Sequence, residues 1–212
     1  MSRRSSASRR GLLQLGGVAL AVSVVSLAGC DAPSSGGGAA TSFKGIDITG
    51  ADYARTLSLT DQNGQPRTLA DFKGKVTVVF FGFTQCPDVC PTTMAELAQV
   101  RASLGKEGDR VQGVFVTVDP ERDTAAVLKT YMGGFDPSFV ALRGSPEEIA
   151  ATAKEFKVFY AKVPGKTEGS YGVDHTAGSY VFDAQGKVRL FVRYGGGAEA
   201  LAADLKTLLA AR

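Results

Sequence analysis

The chain has 212 residues, 44% of them hydrophobic and 21% charged, with a formal charge of +3. Four of its 24 basic residues, Arg3, Arg4, Arg9 and Arg10, fall within the first 29 positions, which carry no acid; what remains is 20 basic against 21 acidic residues, about −1. The basic excess therefore belongs to the N-terminus, and the rest offers no charge surplus suited to nucleic acid.

In chain order, the first expectation is an export signal over residues 1–29. A basic n-region precedes an apolar stretch from Gly11 to Ala28, the layout of a secretory leader. Ser8-Arg9-Arg10-Gly11-Leu12-Leu13-Gln14 resembles a twin-arginine motif, and Leu27-Ala28-Gly29-Cys30 resembles a bacterial lipobox. That resemblance implies lipidation of Cys30, a membrane-anchored protein and an extracytoplasmic or periplasmic location. Residues 30–45 are rich in Ser, Gly and Ala, the composition of a flexible tether. Residues 46–212 have the size and pattern of one domain.

Within that domain, Leu57–Thr60 and the Asp61-Gln-Asn-Gly64 turn predict a short N-terminal β addition. Val76-Thr-Val-Val-Phe-Phe-Gly-Phe83 is continuously apolar and β-branched or aromatic, which predicts a strand buried on both faces. Met94, Leu97, Val100 and Leu104 then recur at helical spacing, with Pro91 in the first turn. A second buried strand follows at Val111–Val118, a helix at Thr124–Met132, and a short strand at Phe139–Leu142. Pro146-Glu-Glu opens a helix to about Phe156, its acids at the positive end. Residues 162–177 read as a loop, given Pro164, Gly165, Gly169 and Gly172. Tyr180–Phe182 and Val188–Val192 flank Asp183-Ala-Gln-Gly186, a hairpin signal. Leu201, Leu205, Leu208 and Leu209 line one face of a last helix. Strand–helix alternation ending in a hairpin and helix predicts an α/β, thioredoxin-like sandwich with an N-terminal β addition.

The chemistry concentrates in three residues. His175 is the sole histidine, and Cys86 and Cys90 are the only cysteines besides Cys30. Two thiolates and an imidazole form a soft donor set suited to copper, because thiolates select Cu(I) and imidazole also accommodates Cu(II). The same cysteines are equally able to act as a redox pair, and an even number of thiols in an oxidising compartment invites pairing. As a purely structural staple, a Cys86–Cys90 bond would close a ring worth only about 2 kcal/mol. Their position before a helix N-terminus favours the thiolate form. Asp174 is read either as orienting the imidazole or as an exposed loop aspartate. Asp119 and Asp123, in Val118-Asp-Pro-Glu-Arg-Asp-Thr124, are read as the end of a strand and a helix cap.

FFGFTQCPDVCPTTMAEL, VTVDPERDT, FDPSFVALRGSPEEIA and VDHTAGSYVFD together resemble the Sco/SenC family, over roughly residues 55–195. The resemblance implies a membrane-tethered copper protein of thioredoxin fold that assists maturation of the CuA centre of cytochrome c oxidase. It implies Cys86, Cys90 and His175 as ligands for Cu(I) or Cu(II). It implies as partners the oxidase subunit carrying the CuA site and a periplasmic copper donor or thiol reductant. Family members usually have serine after the histidine; Thr176 keeps the hydroxyl. Asp119 and Asp123 match a recurring motif of the family, which implies as their alternative role the shaping of partner docking. The alternative activity is a thiol–disulfide oxidoreductase that keeps the CuA cysteines reduced, with Cys86 and Cys90 as the redox pair. Their C-x-x-x-C spacing differs from the C-x-x-C of general redox motifs. A peroxidase signature would need Pro and Thr where Val79 and Phe83 stand.

Overall fold

Every side chain from Val76 to Gly82 is buried, and so is every one from Val111 to Thr117. Runs without polar alternation are stable only in the middle of a sheet covered on both faces, and that is where they lie. The structure is a computed structural model that describes residues 42–211. The proposed leader, Cys30 and all but the last residues of the tether lie outside the described residues.

In chain order the elements are β1 (Ile46–Asp47), β2 (Ser58–Asp61), β3 (Pro66–Thr68), β4 (Val76–Gly82), α1 (Val89–Ser103), β5 (Val111–Thr117), α2 (Ala125–Gly133), β6 (Val140–Arg143), α3 (Pro146–Glu155), β7 (Tyr160–Pro164), β8 (Tyr171–His175), β9 (Gly178–Phe182), β10 (Val188–Arg193) and α4 (Ala198–Ala210). Eight strands form one sheet in the order β1-β10-β9-β4-β5-β6-β2-β3. β4, β5 and β6 run parallel, joined by α1 and α2, whereas β9 returns antiparallel beside β4 and β10 pairs antiparallel with β9 on its far side. The N-terminal addition is the β2–β3 hairpin, which extends the sheet beyond β6. Its turn is held by the Asp61 carboxylate, which accepts from the amides of Asn63 and Gln65, while Gly64 supplies φ +81°.

Adjacent residues of β4 serve opposite faces. Phe80 meets Phe115, which in turn packs on Tyr131 of α2, and Phe80 shares a crevice with Leu97 of α1 and Leu201 of α4. Phe81 meets Phe156, which follows α3 and also touches Tyr180 and Phe182. Burying a phenylalanine of this kind contributes about 1.5–3 kcal/mol. The chain is engaged by the body before β1 begins, since the amides of Lys44 and Gly45 both donate to the Asp204 carboxylate of α4 at 2.7 Å.

One expectation is corrected. Residues 162–177 are not a plain loop: Tyr160–Pro164 pairs antiparallel with Tyr171–His175 as a ribbon outside the main sheet. Only Val173 of these ten strand residues is buried, so the ribbon carries no period-two hydrophobic signal. Gly165 and Gly169 lie in the turn that joins its strands rather than breaking them. The ribbon ends on His175, which makes it a structural part of the site.

Candidate metal centre

The site is assembled where β4 ends beneath α1. The apolar stripe that seats α1 on the sheet is Cys90, Met94, Leu97 and Val100. Cys90 is the first member of that stripe, so the helix must turn its thiol inward, and its exposure is 0%. Gly82 makes this possible: an added Cβ there would lie 2.8 Å from the Cys90 Sγ. Cys86 precedes the helix, in a turn closed by its own amide on the Phe83 carbonyl, and stays half-buried beside exposed Gln85 and Pro87. The Cys90 amide points at the Cys86 sulfur at 3.5 Å.

His175 comes to the cysteines from β8. Its Nε2 lies 3.3 Å from Cys90 Sγ, and its Nδ1 lies 3.1 Å from the Thr176 carbonyl oxygen. With the proton on Nδ1 donated to that carbonyl, the Nε2 lone pair faces the sulfurs, the tautomer a ligand needs. Phe80 and Phe83 meet the imidazole edge-on at 5.8 and 6.0 Å between centroids. The two sulfurs and the imidazole nitrogen all lie within 4.8 Å of one another, and no fourth cysteine, histidine or carboxylate joins them among the described residues.

The profile that matches residues 47–210 describes SCO1/SenC proteins. The chain belongs to the SCO1/SenC family. Among its relatives, the SCO2-like protein of Rickettsia felis is 41% identical over 132 residues, 62% of this chain and 64% of that one. This chain thus spans less than two thirds of that relative's length. Copper-bound ScoI of Bradyrhizobium japonicum is 44% identical with a TM-score of 0.66, over 72% of this chain and 97% of that one. BsSco, reported with a disulfide switch as a member of the Sco family of cytochrome c oxidase assembly proteins, is 26% identical with a TM-score of 0.60, over 79% and 99%. The α/β, thioredoxin-like sandwich is therefore the fold of this SCO1/SenC chain.

Burial acts in opposite directions on Cys90 and His175 of this Sco/SenC site. Burial pushes the Cys90 thiol well above its ordinary value, outweighing a hydrogen bond from the Phe83 backbone. The expectation that the helix end favours the thiolate thus fails for Cys90, where desolvation dominates. Burial also lowers His175, favouring the neutral imidazole, while the Thr176 carbonyl and Asp174 pull the other way. A metal at this site must displace the Cys90 proton but meets a histidine ready to coordinate. Tyr131 is raised too, first by burial and then by the neighbouring Cys90, Cys86 and Asp123, and its buried hydroxyl has no hydrogen-bond partner.

Of the two readings of Asp174 the exposed aspartate holds, since the carbonyl of Thr176, not a carboxylate, faces Nδ1. The reading of Asp123 changes. Asp123 does not cap α2; Thr124 does, through its hydroxyl to the Val127 amide at 3.3 Å. Instead Asp123 is fully buried and accepts from the Thr84 amide at 3.1 Å and from the Thr84 and Thr117 hydroxyls, each at 2.6 Å. It anchors the start of the cysteine loop. Arg122, Thr84 and Tyr171 complete this support, and none was singled out by the sequence; the only signal was a basic residue set between two acids in Val118–Thr124.

Proposed function

We propose that this protein binds copper through Cys86, Cys90 and His175 and passes it to the CuA site of a cytochrome c oxidase subunit. The observation that carries the reading is the convergence of two sulfurs and one correctly turned imidazole within 4.8 Å. Support comes from the copper bound to ScoI and from the assembly role stated for the Sco family of which BsSco is a member. Three protein donors leave the metal open to an incoming ligand, which suits transfer better than a closed four-ligand cage.

The chain's own residues divide the work. Cys86, half-exposed, is the thiol that an incoming donor or a recipient cysteine reaches first. Cys90 binds from the interior after losing its proton, and His175 supplies the nitrogen that accommodates Cu(II). Lipidation at Cys30 would hold the domain on the outer face of the membrane, in the periplasm of a bacterium with two membranes, within reach of a membrane oxidase. Among the described residues no helix is long and apolar enough to cross a membrane.

The test is transfer. Copper-loaded protein is mixed with an apo CuA domain, and the visible band of the binuclear centre is followed. The proposal requires that band to grow with loaded wild type and not with variants lacking Cys86 or Cys90 that have been through the same copper-loading and desalting steps.

A second reading is favoured by one observation: the pair consists of one half-exposed and one buried thiol. That is the arrangement of an attacking and a resolving cysteine. The Cys86 thiolate would attack a target disulfide, forming a mixed disulfide and releasing one target thiolate. Cys90 would then attack the Cys86 sulfur, releasing the second target thiol and leaving Cys86–Cys90 oxidised. Two electrons pass to the target, and an external thiol reductant restores the pair.

A further inference from the structure

His175 rides on a ribbon that the main sheet does not hold. Among the described residues, every hydrogen bond from residues 160–174 to the rest of the chain ends on Asp119, Glu121 or Arg122. Lys162 Nζ bonds Glu121 at 2.7 Å, the Tyr171 hydroxyl donates to Asp119 at 2.9 Å, and Arg122 Nη1 donates to the Tyr171 carbonyl at 2.9 Å.

Arg122 does more than grip the ribbon. The same Nη1 group donates to Gln85 Oε1 at 3.1 Å, and Gln85 immediately precedes Cys86. One amino group, with two protons, thus spends one on each ligand-bearing segment. Its guanidinium stacks over the Tyr171 ring with its carbon 3.6 Å from the centroid, and lies 5.8 Å from that of Phe83, whose ring meets His175 edge-on. Nε donates to buried Asp119, which fixes the fan in place. Fan geometry, and not charge alone, allows one side chain to serve three acceptors and a ring.

We propose that Arg122 is the positioning residue that docks the His175 ribbon against the cysteine loop, setting the imidazole's distance to the two sulfurs. Its effect is selective. Cys90 is placed by α1, and Cys86 by the turn its amide closes on the Phe83 carbonyl, anchored at Thr84 by Asp123, whereas His175 has its correct place only while the ribbon is docked. Loss of Arg122 therefore weakens the histidine-dependent binding mode and spares the thiolate-dependent one. The copper part of this statement rests on the proposed function above; the docking part does not.

The experiment compares full-length reduced wild type with Arg122→Gln and Arg122→Lys, each with and without His175→Ala. In metal-free protein, hydrogen exchange is read across 160–176 and across β4 and β5. Either substitution is expected to speed exchange in the ribbon about tenfold and leave β4 and β5 unchanged. With copper, Arg122→Gln is expected to weaken Cu(II) binding about tenfold, read by the thiolate-to-Cu(II) absorption, and to shift Cu(I) affinity less than about twofold. In the His175→Ala background the Arg122 substitutions should cost Cu(II) binding nothing more. Unchanged ribbon exchange, full restoration by lysine, or an equal Cu(II) loss without His175 would each overturn the proposal. If wild type binds no Cu(II), the copper reading fails by itself, and ribbon exchange alone decides the role of Arg122.

Discussion

Gly82→Ala is the smallest change that reaches the site. An alanine Cβ would lie 2.8 Å from Cys90 Sγ, 2.8 Å from Phe80 Cε1 and 3.0 Å from Phe115 Cε2. Ordinary non-bonded separations are about 3.5–4.0 Å, so the sulfur must retreat by roughly 0.7–1.2 Å. Ligand positions in metal sites hold to about 0.2 Å, so that displacement is large on the relevant scale. Overpacking of a tight core costs about 1–3 kcal/mol, equivalent to a Tm loss of roughly 2–12 °C in a domain of this size. Gly113→Ala is the matched control: its Cβ would strike the Phe139 ring at 2.7 Å, with no cysteine among its nearest atoms. Urea denaturation and a Cu(I) competition titration on both variants separate the effects. Both should lose stability, and only Gly82→Ala should lose copper affinity, by an expected tenfold or more. Gly82→Ala with wild-type copper affinity, or Gly113→Ala weakened equally, would refute the claim that Gly82 exists to seat the Cys90 thiol.

Timed alkylation of the reduced, metal-free protein followed by peptide mapping should label half-exposed Cys86 before buried Cys90, whose thiol burial holds protonated; equal rates would contradict the assignment of outer and inner thiol. Asp123→Ala strands the Thr84 amide and the Thr84 and Thr117 hydroxyls, a loss of about 1–3 kcal/mol readable as a lowered urea midpoint. Burial raises the Asp136 carboxyl, but the Ser138 hydroxyl and amide and the Arg101 guanidinium outweigh it and hold it below the usual carboxylate range. A depressed folded value contributes stability that is complete above the unfolded carboxylate pKa of about 3.9 and is lost as pH falls through the folded value. Asp136→Asn should therefore be less stable at pH 7 yet lose less stability between pH 5 and pH 2, by denaturant titration at each pH.

What the sequence revealed, and what it hid, follows from the range of the forces involved. β4 and β5 were legible because strands buried on both faces need unbroken apolar runs, and α1 was legible from its stripe. Cys86, Cys90 and His175 stood out as scarce residue types, and the structure brings them together. The β7–β8 ribbon was hidden because it buries almost nothing and is held from outside by a turn some 40–50 residues away in sequence. Arg122 was hidden for the same reason: two of its three acceptors, Gln85 and the Tyr171 carbonyl, lie 37 and 49 residues away. Asp123 was misread because local capping is the commonest role of an aspartate before a helix, and only the fold shows Thr84 arriving at its carboxylate.

The most direct measurement is an anaerobic copper titration of the reduced protein, wild type beside Cys86→Ala, Cys90→Ala and His175→Ala. One equivalent should bind tightly, with both Cu(I) and Cu(II) lost on removal of either cysteine and Cu(II) weakened selectively on removal of His175. Weak or non-stoichiometric binding that ignores His175 would contradict the three-ligand site and leave Cys86 and Cys90 as a thiol-exchange pair.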